Sequence, residues 1–93
     1  MDIQTVYLMK SKFVAREVGN ELIIVPLSGN VAQMNELFTM NETAKFIWEN
    51  ITEKTSVEDI ENAMTDTFDI DKETAKKDIL VFLTQMESFF IKK

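Results

Sequence analysis

The chain contains neither cysteine nor histidine. Without cysteine there is no disulfide, no zinc–thiolate site and no thiol nucleophile within it. Without histidine there is no imidazole base, no His-containing triad and no basis for most transition-metal sites. Glycine occurs only at Gly19 and Gly29, and neither belongs to a phosphate-cradling loop. Basic residues are also few: 10 Lys and Arg face 16 Asp and Glu, a net charge of −6. Nucleic-acid affinity depends largely on Lys and Arg at phosphates, so this balance argues against such a partner. No segment approaches the roughly 20 apolar residues that span a bilayer. The opening MDIQTVYLMKSK lacks the basic start and apolar core of a signal peptide. These absences predict a cytoplasmic protein with no membrane partner and no cofactor. An enzyme would have to work with carboxylates, hydroxyls or lysine alone, and none is expected.

What is present suits one small globular domain. With 93 residues and 45% apolar content, the chain can build one core but not two. Residues 1–11 show no clear period and read as a loose tail or an early strand. Lys12–Val18 and Glu21–Leu27 are rich in β-branched and apolar residues, and Gly19-Asn20 between them suits a tight hairpin. Leu22–Val25 is apolar on both faces, as in a central strand. Pro26 cannot donate to a ladder, so pairing should fail near it. Ser28–Asn35 is a polar connection, and Glu36–Met40 reads as a short third strand. In a three-stranded meander that strand lies at an edge. Its free N–H and C=O groups must meet water, another element or an incoming peptide.

The segment Thr39–Ile51, TMNETAKFIWENI, turns the chain from strands to helices. Asn41 is placed to cap a helix, and Glu42 puts a negative charge in its first turn. Ala44, Ile47, Trp48 and Ile51 recur at helical spacing; Phe46 broadens that face, and Trp48 is its largest anchor. A second helix opens at Ser56 with Asp59 three residues on, a capping-box spacing. Its face is Val57, Ile60, Ala63, Met64 and Phe68, and it should stop near Phe68. Asp71 is placed to cap the last and longest helix, whose buried stripe is Ala75, Ile79, Phe82, Leu83, Met86 and Phe90. Leu80 falls on the flank of that stripe and Val81 nearly opposite. Glu73 precedes Lys77 by four positions, the order that favours a surface pair. Lys76 belongs to the same basic cluster.

No catalytic constellation emerges. Asp69, Asp71 and Glu73 alternate like the start of a calcium loop, but the required glycine position holds Thr74 and the closing glutamate position Leu80. The acids crowd helix termini, where capping explains them, and no base accompanies the serines and threonines. The acidic stretch from Glu49 to Glu73 reads as a solvated surface and disfavours a DNA-reading helix-turn-helix.

Three stretches carry a family likeness: FVAREVGNELIIVPLSG, LFTMNETAKFIWENI and TSVEDIENAMTDTFDIDKETAKKDILVFL. Together they resemble the PqqD family, named for pyrroloquinoline quinone biosynthesis protein D. The most specific part is Asn41-Glu42-Thr43-Ala44 leading to Ile47-Trp48, similar to the family's Leu-Asn-Glu-Thr…Ile-Trp signature, with Met40 for the usual Leu. Ser56–Ile60 resembles the opening of the family's second helix, and Thr74-Ala75, Asp78 and Phe82-Leu83 its third. The sequence departs from the pattern at Ser28–Asn35, a longer loop than the shortest members show, and at Phe89-Phe90-Ile91, which replaces a common Gly-Leu ending.

The resemblance implies an α+β fold: a three-stranded antiparallel sheet followed by three helices, winged-helix-like. It also implies a non-catalytic recognition element for ribosomally made natural products. Such an adaptor binds the leader of a precursor peptide and presents it to a modifying enzyme, often of the radical S-adenosylmethionine type. The leader would add as a strand along Glu36, Leu37, Phe38 and Thr39, with Lys76, Ile79, Leu80 and Leu83 of the last helix opposite. Main-chain pairing would give affinity and side-chain pockets specificity. The same edge could pair two copies into a homodimer. The alternative reading is a winged-helix regulatory or protein-interaction domain.

Overall fold

A computed structural model describes residues 1–27 and 37–91. The elements run α1 (Ile3–Lys10), β1 (Phe13–Val18), β2 (Glu21–Pro26), β3 (Phe38–Met40), α2 (Glu42–Asn50), α3 (Val57–Phe68) and α4 (Lys72–Ile91). The strands form an antiparallel sheet in the order β1-β2-β3, so β3 is an edge, as the meander requires. The two-residue turn Gly19-Asn20 joins β1 to β2, and Gly19 takes φ +62. A left-handed first turn position matches the twist of the flanking strands and favours glycine. The third strand is shorter than expected: Leu37 precedes it, and Glu36 and the Ser28–Asn35 connection lie outside the described residues.

Residues 1–11 are neither loose nor a strand, which corrects the sequence reading. Asp2 caps α1 by accepting from the Thr5 N–H at 2.8 Å. Only Ile3 and Val6 are buried in this helix, whereas Tyr7 and Leu8 are exposed. Two inward residues among several exposed apolar ones leave no readable period. Tertiary contacts hold the helix instead. The Lys10 ammonium donates to the carbonyl oxygens of Trp48 (2.9 Å) and Ile51 (3.1 Å) and lies 5.3 Å from the Trp48 ring centroid. It thereby serves carbonyls at the C-terminal end of α2, a place where a cation is favoured, the Trp48 oxygen also accepting from the Ile51 N–H at 3.3 Å. Burial lowers the Lys10 pKa below its ordinary value, opposed by the nearby Glu49 carboxylate.

The later helices follow their sequence signals. Asn41 accepts from the Ala44 N–H at 2.9 Å, and the Ser56–Asp59 capping box is formed in both directions at 3.1 Å. Asp71 accepts from the Thr74 N–H at 2.8 Å, and hydrogen bonding from the Thr74 side chain and backbone lowers its carboxyl pKa. The core joins Leu22, Ile24 and Met40 of the sheet to Ile47, Trp48 and Ile51. Ile60 and Met64 of α3, Ala75, Ile79, Phe82 and Met86 of α4, and Ile3 and Val6 of α1 complete it, with Trp48 only 4% exposed. Two details depart from expectation. Val57 is 38% exposed, while Glu61, between Ile60 and Met64 on the same helical stripe, is 4% exposed. Glu73 makes no ion pair with Lys77; among the described residues Lys72 pairs across helices with Glu58 at 3.3 Å.

At its C-terminal end α4 crosses beneath the sheet. Phe89 lies 5.6 Å from Phe13 and 5.4 Å from Phe38, and Phe90 stacks on Phe13 at 5.1 Å between ring centroids. The residues that depart from the family's ending therefore bolt α4 to both edge strands. Aromatic pairs at such spacing add to the stabilisation that burial already provides.

Candidate peptide-binding edge and groove

The backbone of β3 has a definite parity. The Leu27 N–H donates to the Lys12 carbonyl at 2.8 Å, and the β1–β2 register places these residues directly opposite. Opposite residues that share a bond mark a hydrogen-bonded pair, and such pairs alternate along an antiparallel ladder. Val14–Val25, Arg16–Ile23 and Val18–Glu21 therefore bond across β1 and β2. That leaves the backbone groups of Leu22 and Ile24 facing β3, where they meet Met40 and Phe38. Phe38 and Met40 thus point their N–H and C=O groups inward at β2. Thr39 points its own away from the sheet. Pro26 lies opposite Phe13 in a non-bonded pair, so its missing N–H costs the β1–β2 ladder nothing.

Side chains alternate in the complementary sense. Met40 is buried, Phe38 half-buried and Thr39 exposed, so Phe38 and Met40 face the helices. Beside Phe38 a hollow of about 440 Å³ is lined by Leu37, Phe38, Gln85, Ser88 and Phe89. A second hollow of about 150 Å³ continues from Gln85 towards the N-terminus of α4, past Asn41, Thr43, Asp78 and Val81. Because β2 closes one side of β3, this groove opens along the outer edge, between β3 and α4.

The expected residues are placed unevenly around this groove. Leu37 and Phe38 line it, and the Thr39 backbone borders it. Glu36 lies outside the described residues. The helix residues named with them take other positions. Ile79 is 1% exposed and belongs to the core. Lys76, Leu80 and Leu83 sit roughly 140–180° round the helix from Gln85, at 100° per residue. Leu80 is 59% exposed there, covered by no strand. The groove face of α4 is Asp78, Val81, Gln85, Ser88 and Phe89, at spacings of three, four, three and one. Its one signal in the sequence was Val81, an apolar residue on the side opposite the assigned stripe.

Among the described residues the groove is lined by apolar, amide and hydroxyl side chains, with Asp78 its one charged residue. Its hydroxyls, Thr43 and Ser88, have no histidine to activate them, and the chain has none to offer. Among the described residues no group of His, Cys, Asp and Glu could hold a metal ion, and no helix is long and apolar enough to cross a membrane.

The fold is similar to that of TbiB1, solved in complex with the TbiA(beta) leader peptide. The TM-score is 0.66 at 19% sequence identity, covering 85% of this chain and 86% of that one. No curated protein matches the sequence. The family model described as coenzyme PQQ synthesis protein D matches residues 21–88, from β2 to within the last turns of α4. The chain belongs to the PqqD family.

Proposed function

We propose that this chain is a non-catalytic adaptor that binds the leader of a ribosomally made precursor peptide and presents it to a modifying enzyme. The leader adds as a fourth strand beside β3. The enzyme served is of the radical S-adenosylmethionine type that the family likeness implies. The observation that carries this reading is the conjunction at β3: an outward-facing Thr39 peptide unit bordering a groove walled by α4. An edge alone supplies main-chain bonds; the groove adds places for alternate side chains, which strand addition needs for specificity. The family membership and the likeness to a leader-bound structure support the same reading.

The test uses a displayed library of random peptides, about a dozen residues long, selected on the immobilised chain. Captured peptides are then added to the isotope-labelled protein and amide hydrogen exchange is followed. The Thr39 N–H should exchange quickly in the free chain and slowly in the complex, while Phe38 and Met40 are protected in both. Binding should be lost in Thr39→Pro. Peptides that bind that variant as well as they bind the parent chain would disprove strand addition at this edge. A second copy pairing edge to edge would protect the same N–H without peptide, in a concentration-dependent manner.

A further inference from the structure

Resting on the strand-addition reading, the groove also states which peptide it takes. We infer that it selects a segment with an apolar side chain at one position and a lysine or arginine four residues away. The geometry begins from Thr39. A residue of the added strand opposite Thr39 shares its outward side-chain direction, because paired residues lie on the same face. Its two neighbours, opposite Phe38 and Met40, then point inward over α4. The one opposite Phe38 meets the larger hollow, whose walls are Leu37, Phe38 and Phe89. That wall is apolar and rimmed by Gln85 and Ser88, so it suits an aliphatic or aromatic side chain.

From the middle of this hollow, near position 87, Asp78 lies nine residues back along α4, roughly 13 Å at 1.5 Å per residue. An extended strand covers roughly 13 Å in four residues, and an even separation keeps both side chains on the inner face. Two residues away, a side chain falls over Val81 and Gln85. Four residues away, it falls over Asp78, a half-buried carboxylate at the end of the smaller hollow. Asp78 makes no ion pair among the described residues. Its neighbours there, Asn41, Thr43, Ala44, Ile47, Val81, Phe82 and Gln85, carry no cation. A peptide cation finds an unpaired partner at that point, on a chain whose net charge of −6 draws it there. Of the lysines of α4, Lys72 and Lys76 are turned about 140° and 180° from Gln85, and Lys77, about 80° away on the rim of the groove, makes no ion pair with Asp78.

The experiment reads the sequences captured by the displayed library. Parent chain should enrich an apolar residue and a Lys or Arg at a separation of four. Selection on Asp78→Lys should replace the basic residue with Asp or Glu at the same separation. A synthetic peptide of the parent consensus should bind Asp78→Lys roughly tenfold more weakly, with a smaller loss for the isosteric Asp78→Asn. Both variants should keep the parent's circular dichroism, since Asp78 is a groove residue. The outcomes separate the two readings. Peptides that need the Thr39 N–H but show no basic residue at that separation, or no inversion on Asp78→Lys, overturn the selectivity while leaving strand addition intact. No capture at all, or capture indifferent to Thr39→Pro, overturns both.

Discussion

The sheet has two edges, and they differ in kind. β1 is the longer, with six residues, and Val14–Val18 are all exposed. Its outward backbone groups, by the same parity, belong to Phe13, Ala15 and Glu17. β3 is half that length yet stands beside α4, which Phe89 ties to it at 5.4 Å. On the proposed reading, strand length is a poor guide to where a peptide docks. Main-chain groups are present on both edges, and those of β3 stand beside the hollow between Phe38 and α4, the feature on which the proposed strand addition relies. On β1, Arg16 and Glu17 instead place charge along the strand, a common guard against unwanted pairing.

Substitutions can break this contrast in graded ways. Trp48→Ala removes the anchor beneath both edges and should destabilise the fold by about 3–5 kcal/mol, seen in denaturant unfolding. Any binding lost with it should return at temperatures where the variant is folded. Phe38→Pro strikes the inward parity of β3: it deletes a bond to Ile24 and the ring that meets Phe89. It should cost about 3 kcal/mol or more. Thr39→Pro, one residue on, should cost under about 1 kcal/mol, because an outward N–H at an edge has only water to lose. A melting temperature for Thr39→Pro as low as that of Phe38→Pro would show the parity to be reversed.

Ala15→Pro makes the matching change on β1. It should leave peptide affinity unaltered in the titration that Thr39→Pro abolishes; a comparable loss would make β1 the docking edge. On α4, Lys76→Glu and Leu80→Ala should leave affinity within error, since both side chains face away from the groove. The smallest effect concerns acid. Asp71 caps the wall helix α4 and Asp2 caps α1 beside β1, and both carboxyls are held below their ordinary 3.8 by bonds from Thr74 and Thr5. A lowered folded pKa means that the stabilisation is present above 3.8 and is lost as pH falls through the folded value. Thermal midpoints should therefore be flat near neutrality and fall below about pH 4. Asp71→Asn, which retains a capping oxygen without the titration, should flatten part of that fall.

The sequence alone determined the elements whose signals are local. Asn41, Ser56 with Asp59, and Asp71 marked three helix starts because a cap needs only its own next few residues. Gly19-Asn20 and the doubly apolar Leu22–Val25 fixed the hairpin and its central strand, and with them the edge position of β3. Tertiary structure decided the rest. α1 exists because Lys10 reaches the end of α2 and because Ile3 and Val6 enter a core built by residues far along the chain. Which face of α4 meets the groove was likewise settled by packing: its buried stripe was legible from period, but two flanks adjoin a stripe, and periodicity ranks neither. Phe89, held between Phe13 and Phe38, turns the flank of Asp78, Val81 and Gln85 towards β3 and leaves Lys76 and Leu80 outside. A helix's sequence names what it buries; only its neighbours decide what the remaining faces see.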